Sequence, residues 1–211
     1  MRIEVWSDVV CPWCYIGKRN LEAALRSFEH ADAVEVVWRS YELDPTGPRQ
    51  RSGSYVERIA RKYGIDVGAA RASMARMVSA GAEAGVDLRF ETLRAGNTFD
   101  AHRLLHHARE VGVQHELKER LFAATFTEGE PIGDPDTLVR LAADVGIAPD
   151  DARRALEEGR FADAVRADEA EAEDVGVQGV PYFVVDRRFA VPGAQAPDVF
   201  LRVLDRAWDA S

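Results

Sequence analysis

The sequence predicts an α/β fold interrupted by a large all-helical stretch, and three observations carry that expectation. Residues 1–50 read as strand, helix, strand, which suggests a parallel βαβ unit. From about Ser54 to Asp174 the apolar spacing is almost wholly helical. After Gly176 strand chemistry returns as two short runs and a closing helix, so the order is βαβ, helices, ββα.

Apolar alternation over residues 3–10 predicts the first strand. Leu21, Leu25 and Phe28 then recur at helical spacing, and Pro12 suits a first helical position, where its missing N–H would have no partner anyway. Val34 to Trp38, β-branched and aromatic, predicts a second strand running on through Tyr41 and Leu43 to the breakers Asp44-Pro45-Thr46-Gly47-Pro48. Ser54 and Glu57 form a capping box ahead of a helix that Gly64 ends. Further helices are expected over residues 67–83, from an Asn97 or Thr98 cap to Gly112, and over 114–127, 135–145, 149–158 and 161–175, with a short segment at 86–90. Residues 182–185 and 189–191, flanking Asp186-Arg187-Arg188, predict a hairpin. A last helix over 197–208 carries Phe200, Leu201, Leu204 and Trp208 on one face.

At 211 residues, with 46% hydrophobic content, the chain is long and apolar enough for a real core. Its net charge of −9 argues against a nucleic-acid partner and against an anionic membrane surface. No apolar run approaches the ~20 residues that span a bilayer. Met1-Arg2-Ile3-Glu4 leads straight into the first strand without the pattern of a secretion signal, so a cytoplasmic location is expected.

Cys11 and Cys14 are the only cysteines, which excludes a disulfide-stapled scaffold. A structural bridge closing so short a loop gains roughly 2 kcal/mol, against ~4.7 for a loop of ~100 residues, so a chemical role is favoured. Half of a zinc site is one alternative, with His30, His102, His106, His107 and His115 as the remaining candidates, and His102 and His106 four apart on one expected helix. No second Cys pair exists, however, and the thiols open a helix directly after a strand, the context of a redox motif. Cys11 falls at or just before that helix N-terminus, where unpaired amides and the helix dipole favour the reactive thiolate.

Ser7-Asp8-Val9-Val10-Cys11-Pro12-Trp13-Cys14-Tyr15-Ile16-Gly17-Lys18, Tyr41-Glu42-Leu43-Asp44-Pro45, Asn97-Thr98 with Ala101-His102-Arg103-Leu104, Gly179-Val180-Pro181-Tyr182-Phe183-Val184 and Gly193-Ala194-Gln195 together carry a resemblance over nearly the full length. The chain resembles the DsbA family of thioredoxin-fold proteins, in its FrnE and 2-hydroxychromene-2-carboxylate isomerase branch. The resemblance implies a discontinuous thioredoxin-like domain at 1–50 and 176–211, split by a helical insertion domain at 51–175. It also implies a cis Val180–Pro181 peptide facing Cys11, and inserted helices that bring His102 toward the thiols. Kappa-class glutathione transferases resemble this chain but carry Ser at the position of Cys11. Keeping both thiols favours dithiol–disulfide exchange over glutathione-assisted isomerisation.

The expected activity is therefore that of a dithiol–disulfide oxidoreductase or isomerase. Cys11 is the nucleophile, Cys14 the resolving thiol, and Pro181 completes the catalytic set. Pro12, Trp13, Tyr15, Val180, Asn97 and His102 are candidate substrate-binding residues, with Trp13 and Tyr15 forming an apolar lip. Asp8 could relay protons to Cys14, although a turn residue at the end of a strand is the simpler reading, and the acidic run from Asp168 to Asp174 reads as a solvated helix face. Pro12-Trp13 supplies no cation, unlike the Pro-His of strongly oxidising DsbA, so a milder oxidant is expected, mostly reduced in a cytoplasm. The expected partners are disulfide-bearing proteins or small molecules, with no metal, no tightly bound cofactor and glutathione admitted as a co-substrate, in a monomer or homodimer. The alternative is a glutathione-dependent isomerase or kappa-like transferase acting on an aromatic or polyketide-like substrate.

Overall fold

Four strands form one mixed sheet in the computed structural model, which describes residues 1–210. The strands are β1 (Arg2–Ser7), β2 (Glu35–Ser40), β3 (Tyr182–Val185) and β4 (Phe189–Pro192), in the spatial order β2-β1-β3-β4. β1 lies parallel to β2, with Val5 opposite Trp38, and antiparallel to β3, with Val5 opposite Phe183. The parallel pair needs a crossover, and α1 (Pro12–Ser27) supplies it. There follow α2 (Tyr55–Tyr63), α3 (Val67–Glu83), α4 (Phe99–Glu110) and α5 (Gln114–Ala123), the last running on as a π-helical turn over Ala124–Glu128. Then come α6 (Pro135–Ala143), α7 (Pro149–Glu157), α8 (Ala162–Asp174) and, after the hairpin, α9 (Pro197–Asp209).

The two-residue period of a strand sends alternate side chains of β1 into different layers. Ile3 and Val5, with Phe183 and Val185 of β3, pack on Leu21 of α1 and on Phe200 and Leu204 of α9. Trp6 and Val184 face the other way, onto Ala172 of α8 and Val177. Thus α8, which lies within the expected insertion, covers one face of the sheet. The remaining helices build two further cores, one joining α4 to α7 around Leu104, Leu117 and Leu138, the other joining α2 and α3 to the start of α1 around Met74, Phe90 and Phe126.

Some boundaries differ from the sequence reading. β1 ends at Ser7, because Val9, apolar like the strand residues, packs into the α4–α7 core instead. β2 stops at Ser40, short of Tyr41 and Leu43, and the 86–90 segment forms no strand. Ser54 is the N-cap of α2 but its hydroxyl makes no capping bond, whereas Asp66 and Asp134 accept from Ala69 N (2.9 Å) and Thr137 N (2.8 Å).

Asp168 overturns the expectation of a solvated acidic face. It is 2% exposed and accepts from Arg39 Nη1 (2.8 Å) and Ser40 N (2.8 Å), with His106 Nε2 at 3.0 Å. The same Arg39 reaches the buried Glu4, so α8 is keyed to β1 and β2 by charge as well as packing. Burial alone would raise the Asp168 carboxyl, but His106, the Ser40 N–H and Arg39 outweigh it and hold it below the ordinary value. A depressed carboxylate stabilises the fold above its unfolded value of about 3.9 and loses that contribution as pH falls through the lower folded value. Asp168→Asn is expected to cost about 2 kcal/mol at neutral pH in urea unfolding and to flatten the acid limb of the stability–pH curve.

Candidate active site

Cys11 is the N-cap of α1, with extended backbone (φ −95, ψ 112), and Pro12 follows as its first residue. The Cys11 carbonyl accepts from the N–H of Cys14 (3.0 Å) and of Tyr15 (3.4 Å). Pro12 has no N–H, so within the first turn the amide left for the Cys11 sulfur is that of Trp13. The Cys11 thiol donates to the Val180 carbonyl, with sulfur and oxygen 3.6 Å apart, and the Val180–Pro181 peptide is cis. Gly17 lets α1 lie this close to the loop: a Cβ there would come within 3.0 Å of Pro181 Cγ and 3.1 Å of Phe183 Cζ. A groove of ≈ 340 Å³ runs along the same loop, lined by Gly179, Val180, Pro181, Tyr182, Pro192 and Gly193.

The two sulfurs are not equivalent. Cys11 keeps 5% of its surface exposed and Cys14 none. Burial, reinforced by the neighbouring Cys11, pushes the Cys14 thiol well above its ordinary value. A substrate can reach only Cys11. Cys14 remains a thiol until something takes its proton or steadies its thiolate.

Lys118 of α5 stands in that interior. It is fully buried, with its ammonium over the rings of Phe122 (5.0 Å) and Trp38 (5.6 Å), and its one hydrogen bond runs to the Ser7 carbonyl at 3.5 Å. No carboxylate of the described residues pairs with it. Burial pulls Lys118 down to about 8, against the opposing pull of the Cys14 thiolate when it forms and of Asp8. Asp8, in the turn after β1, is also fully buried; its Oδ2 accepts from Leu43 N (2.8 Å) and its Oδ1 lies 3.4 Å from His102 Nε2. Burial alone would raise Asp8, but His102, the Leu43 N–H and the Lys118 charge hold it below the ordinary carboxylate range. A carboxylate, an ammonium and the Cys14 thiol thus share one dry interior, an arrangement that marks functional sites because each charge is costly to bury alone.

The other residues named from sequence separate. Trp13 is 41% exposed. Tyr15 is not part of an exposed lip: its ring stacks on Phe122 (4.9 Å) and its hydroxyl donates to Glu119 (2.7 Å). Asn97 ties the loop after β2 to α4, donating to Glu42 (3.2 Å) and to the Pro45 carbonyl (3.4 Å) and accepting from Phe99 N (3.0 Å). His102 is fully buried and stands against Asp8, while His106 faces Asp168, so the pair weighed as zinc ligands is divided between two carboxylates. Lys118 had escaped the sequence reading.

Comparison with known proteins fits this geometry. The model of the DsbA-like thioredoxin domain matches residues 2–205. The chain belongs to that DsbA-like family. It is similar to a probable DsbA oxidoreductase from Streptomyces coelicolor, at 40% identity and a TM-score of 0.95, over 100% of this chain and 91% of that one. It is 30% identical to the uncharacterized protein YwbO of Bacillus subtilis (strain 168), over 97% of this chain and 96% of that protein. The fold is also shared with the cytosolic disulfide reductase DsbM of Pseudomonas aeruginosa, in a structure with GSH, at 17% identity and a TM-score of 0.67, over 99% of this chain and 100% of that one. As a DsbA-like enzyme the chain is a thiol–disulfide oxidoreductase by family, and no helix of its described residues is long and apolar enough to cross a membrane.

Proposed function

We propose that this DsbA-like protein reduces or isomerises disulfides through Cys11 and Cys14, in the cytoplasm, with glutathione as its reductant. The unequal burial of the two sulfurs carries the reading. The Cys11 thiolate attacks one sulfur of a substrate R–S–S–R′, the S–S bond breaks, and R′S⁻ leaves and takes up a proton. Cys14 then loses its proton and attacks Cys11 Sγ, expelling RS⁻ and leaving a Cys11–Cys14 disulfide. The substrate gains two electrons, and two glutathione thiols return them to the protein.

Lys118 serves the second step: its ammonium steadies the Cys14 thiolate as it forms, and the proton that Cys14 gives up goes to the departing RS⁻. Val180 and Pro181 border the groove beside Cys11, and exposed Trp13 offers apolar surface to the bound disulfide. The fold neighbour solved with GSH supports glutathione as the partner that recycles the thiols.

Equilibration against glutathione redox buffers, quenched by acid and read by thiol alkylation, tests the proposal. The expected potential lies between the ~−270 mV of thioredoxin and the ~−120 mV of DsbA. Failure of the Cys11–Cys14 disulfide to form at any buffer ratio would refute it.

A further inference from the structure

Lys118 is weakly held by its own contacts. Its hydrogen bond to the Ser7 carbonyl is 3.5 Å long, and otherwise it stands over the rings of Trp38 and Phe122. The place of its ammonium is therefore set by how α5 sits against α1, the helix that the thiols open. Gln114 pins the start of α5 to β2, exchanging two bonds of 3.0 Å with the backbone of Trp38. One residue beyond Lys118, Glu119 makes the contact with α1.

Successive helix residues point about 100° apart, so Lys118 faces the interior while Glu119 faces α1. The Glu119 carboxylate receives three donors from α1: the Tyr15 hydroxyl (2.7 Å), the Lys18 ammonium (2.6 Å) and the Arg19 guanidinium. Tyr15 follows Cys14 directly in the chain, and its ring stacks on Phe122 of α5 with centroids 4.9 Å apart and planes at 9°. The neighbour of the resolving thiol is thus held by α5 at both ends, ring and hydroxyl. Lys18 is itself buried and is shared with Glu22, which His115 of α5 meets through Nε2 at 2.9 Å. Charge-assisted bonds of this kind are short, strong and selective in geometry.

We infer that Glu119 is a positioning residue for the second chemical step: by clamping α5 to α1 at the level of Cys14, it keeps Lys118 where the Cys14 thiolate forms. The inference rests on the reading of Lys118 given above. Glu119→Gln keeps the shape of the side chain and leaves Lys18 its bond to Glu22, so no buried charge is stranded. It replaces one acceptor oxygen by an amide and removes the charge that draws Tyr15, Lys18 and Arg19 together.

The test follows both chemical steps by rapid quench and mass spectrometry, with glutathione disulfide as the oxidant of the reduced protein. Wild type, Glu119→Gln, Lys118→Met and the double variant are compared. Glu119→Gln is expected to slow closure of the Cys11–Cys14 disulfide by roughly tenfold and to leave attack by Cys11 within roughly twofold. The pH profile of closure should move to more alkaline values, as it should in Lys118→Met, because both changes take the cation away from the sulfur. In the double variant closure should match Lys118→Met alone to within roughly twofold, since Glu119 acts through a side chain that is already gone. Slowing that multiplies in the double variant, equal slowing of both steps, or closure at the wild-type rate in Glu119→Gln would overturn the inference. A Lys118→Met variant that closes at the wild-type rate overturns the reading of Lys118 itself, and the inference with it.

Discussion

Cys11→Ser is expected to lower reduction of insulin disulfides to the uncatalysed background, whereas Cys14→Ser is expected to retain the first attack and stop there. The difference follows from burial. Of the two cysteines only Cys11 keeps any exposed surface, so its loss leaves no nucleophile that a substrate can reach, because Cys14 is fully enclosed. Without Cys14 the mixed disulfide at Cys11 has no internal thiol to release it. The trapped adduct is visible by intact-mass spectrometry as the mass of one substrate thiol, and it disappears on adding a small dithiol. The same pair of variants separates the two enzyme classes considered: an isomerase or transferase dependent on glutathione would survive loss of Cys14, whereas dithiol exchange would not. Residual insulin reduction in Cys11→Ser would rule the mechanism out.

Local signals made most of the fold legible. Pro12 after Cys11, Asp134 before Pro135 and Gly64 at a left-handed C-cap (φ 64) each act within one turn of chain, and each lies where the sequence placed it. Where the reading strayed, tertiary packing had overridden the local pattern. Val9 continues the alternation of β1, yet it is apolar because it faces helices distant in sequence. Asp168 belongs to an acidic run whose far end, Glu173 and Asp174, is exposed, and only the arrival of Arg39 and Ser40 from β2 explains its burial. The thiols were legible because their chemistry is encoded in adjacent residues. Behind them, Asp8 and His102 were named from sequence but Lys118 was not, and the three meet only when β1, α4 and α5 pack. One signal for Lys118 was present: Gln114, Leu117, Lys118 and Leu121 recur at helical spacing and are all buried, so α5 carries a lysine on its core stripe.

That lysine carries the second large effect. Lys118→Met is expected to make the protein more stable and its second chemical step slower. An ammonium buried without a carboxylate partner is a net cost, and an apolar side chain of similar volume should recover about 1–3 kcal/mol in urea unfolding. The pH dependence follows from the depressed value. Below about 8 both folded and unfolded chains hold the proton and the cost is present in full; from there up to 10.5 the folded chain has released a proton that the unfolded chain keeps, so this group's contribution to stability rises with pH. Lys118→Met should remove that alkaline rise. Its loss should also leave the forming Cys14 thiolate without a cation in a dry interior, slowing closure of the Cys11–Cys14 disulfide by about 100-fold, with attack by Cys11 on substrate nearly unchanged. Single-turnover quench kinetics resolve the two steps, and the pH profile of the second should move to more alkaline values in the variant. A variant that is more stable and closes its disulfide at the wild-type rate would reduce Lys118 to a tolerated burden on the core; one that is both stabler and slower identifies stability given up to let a buried thiol react.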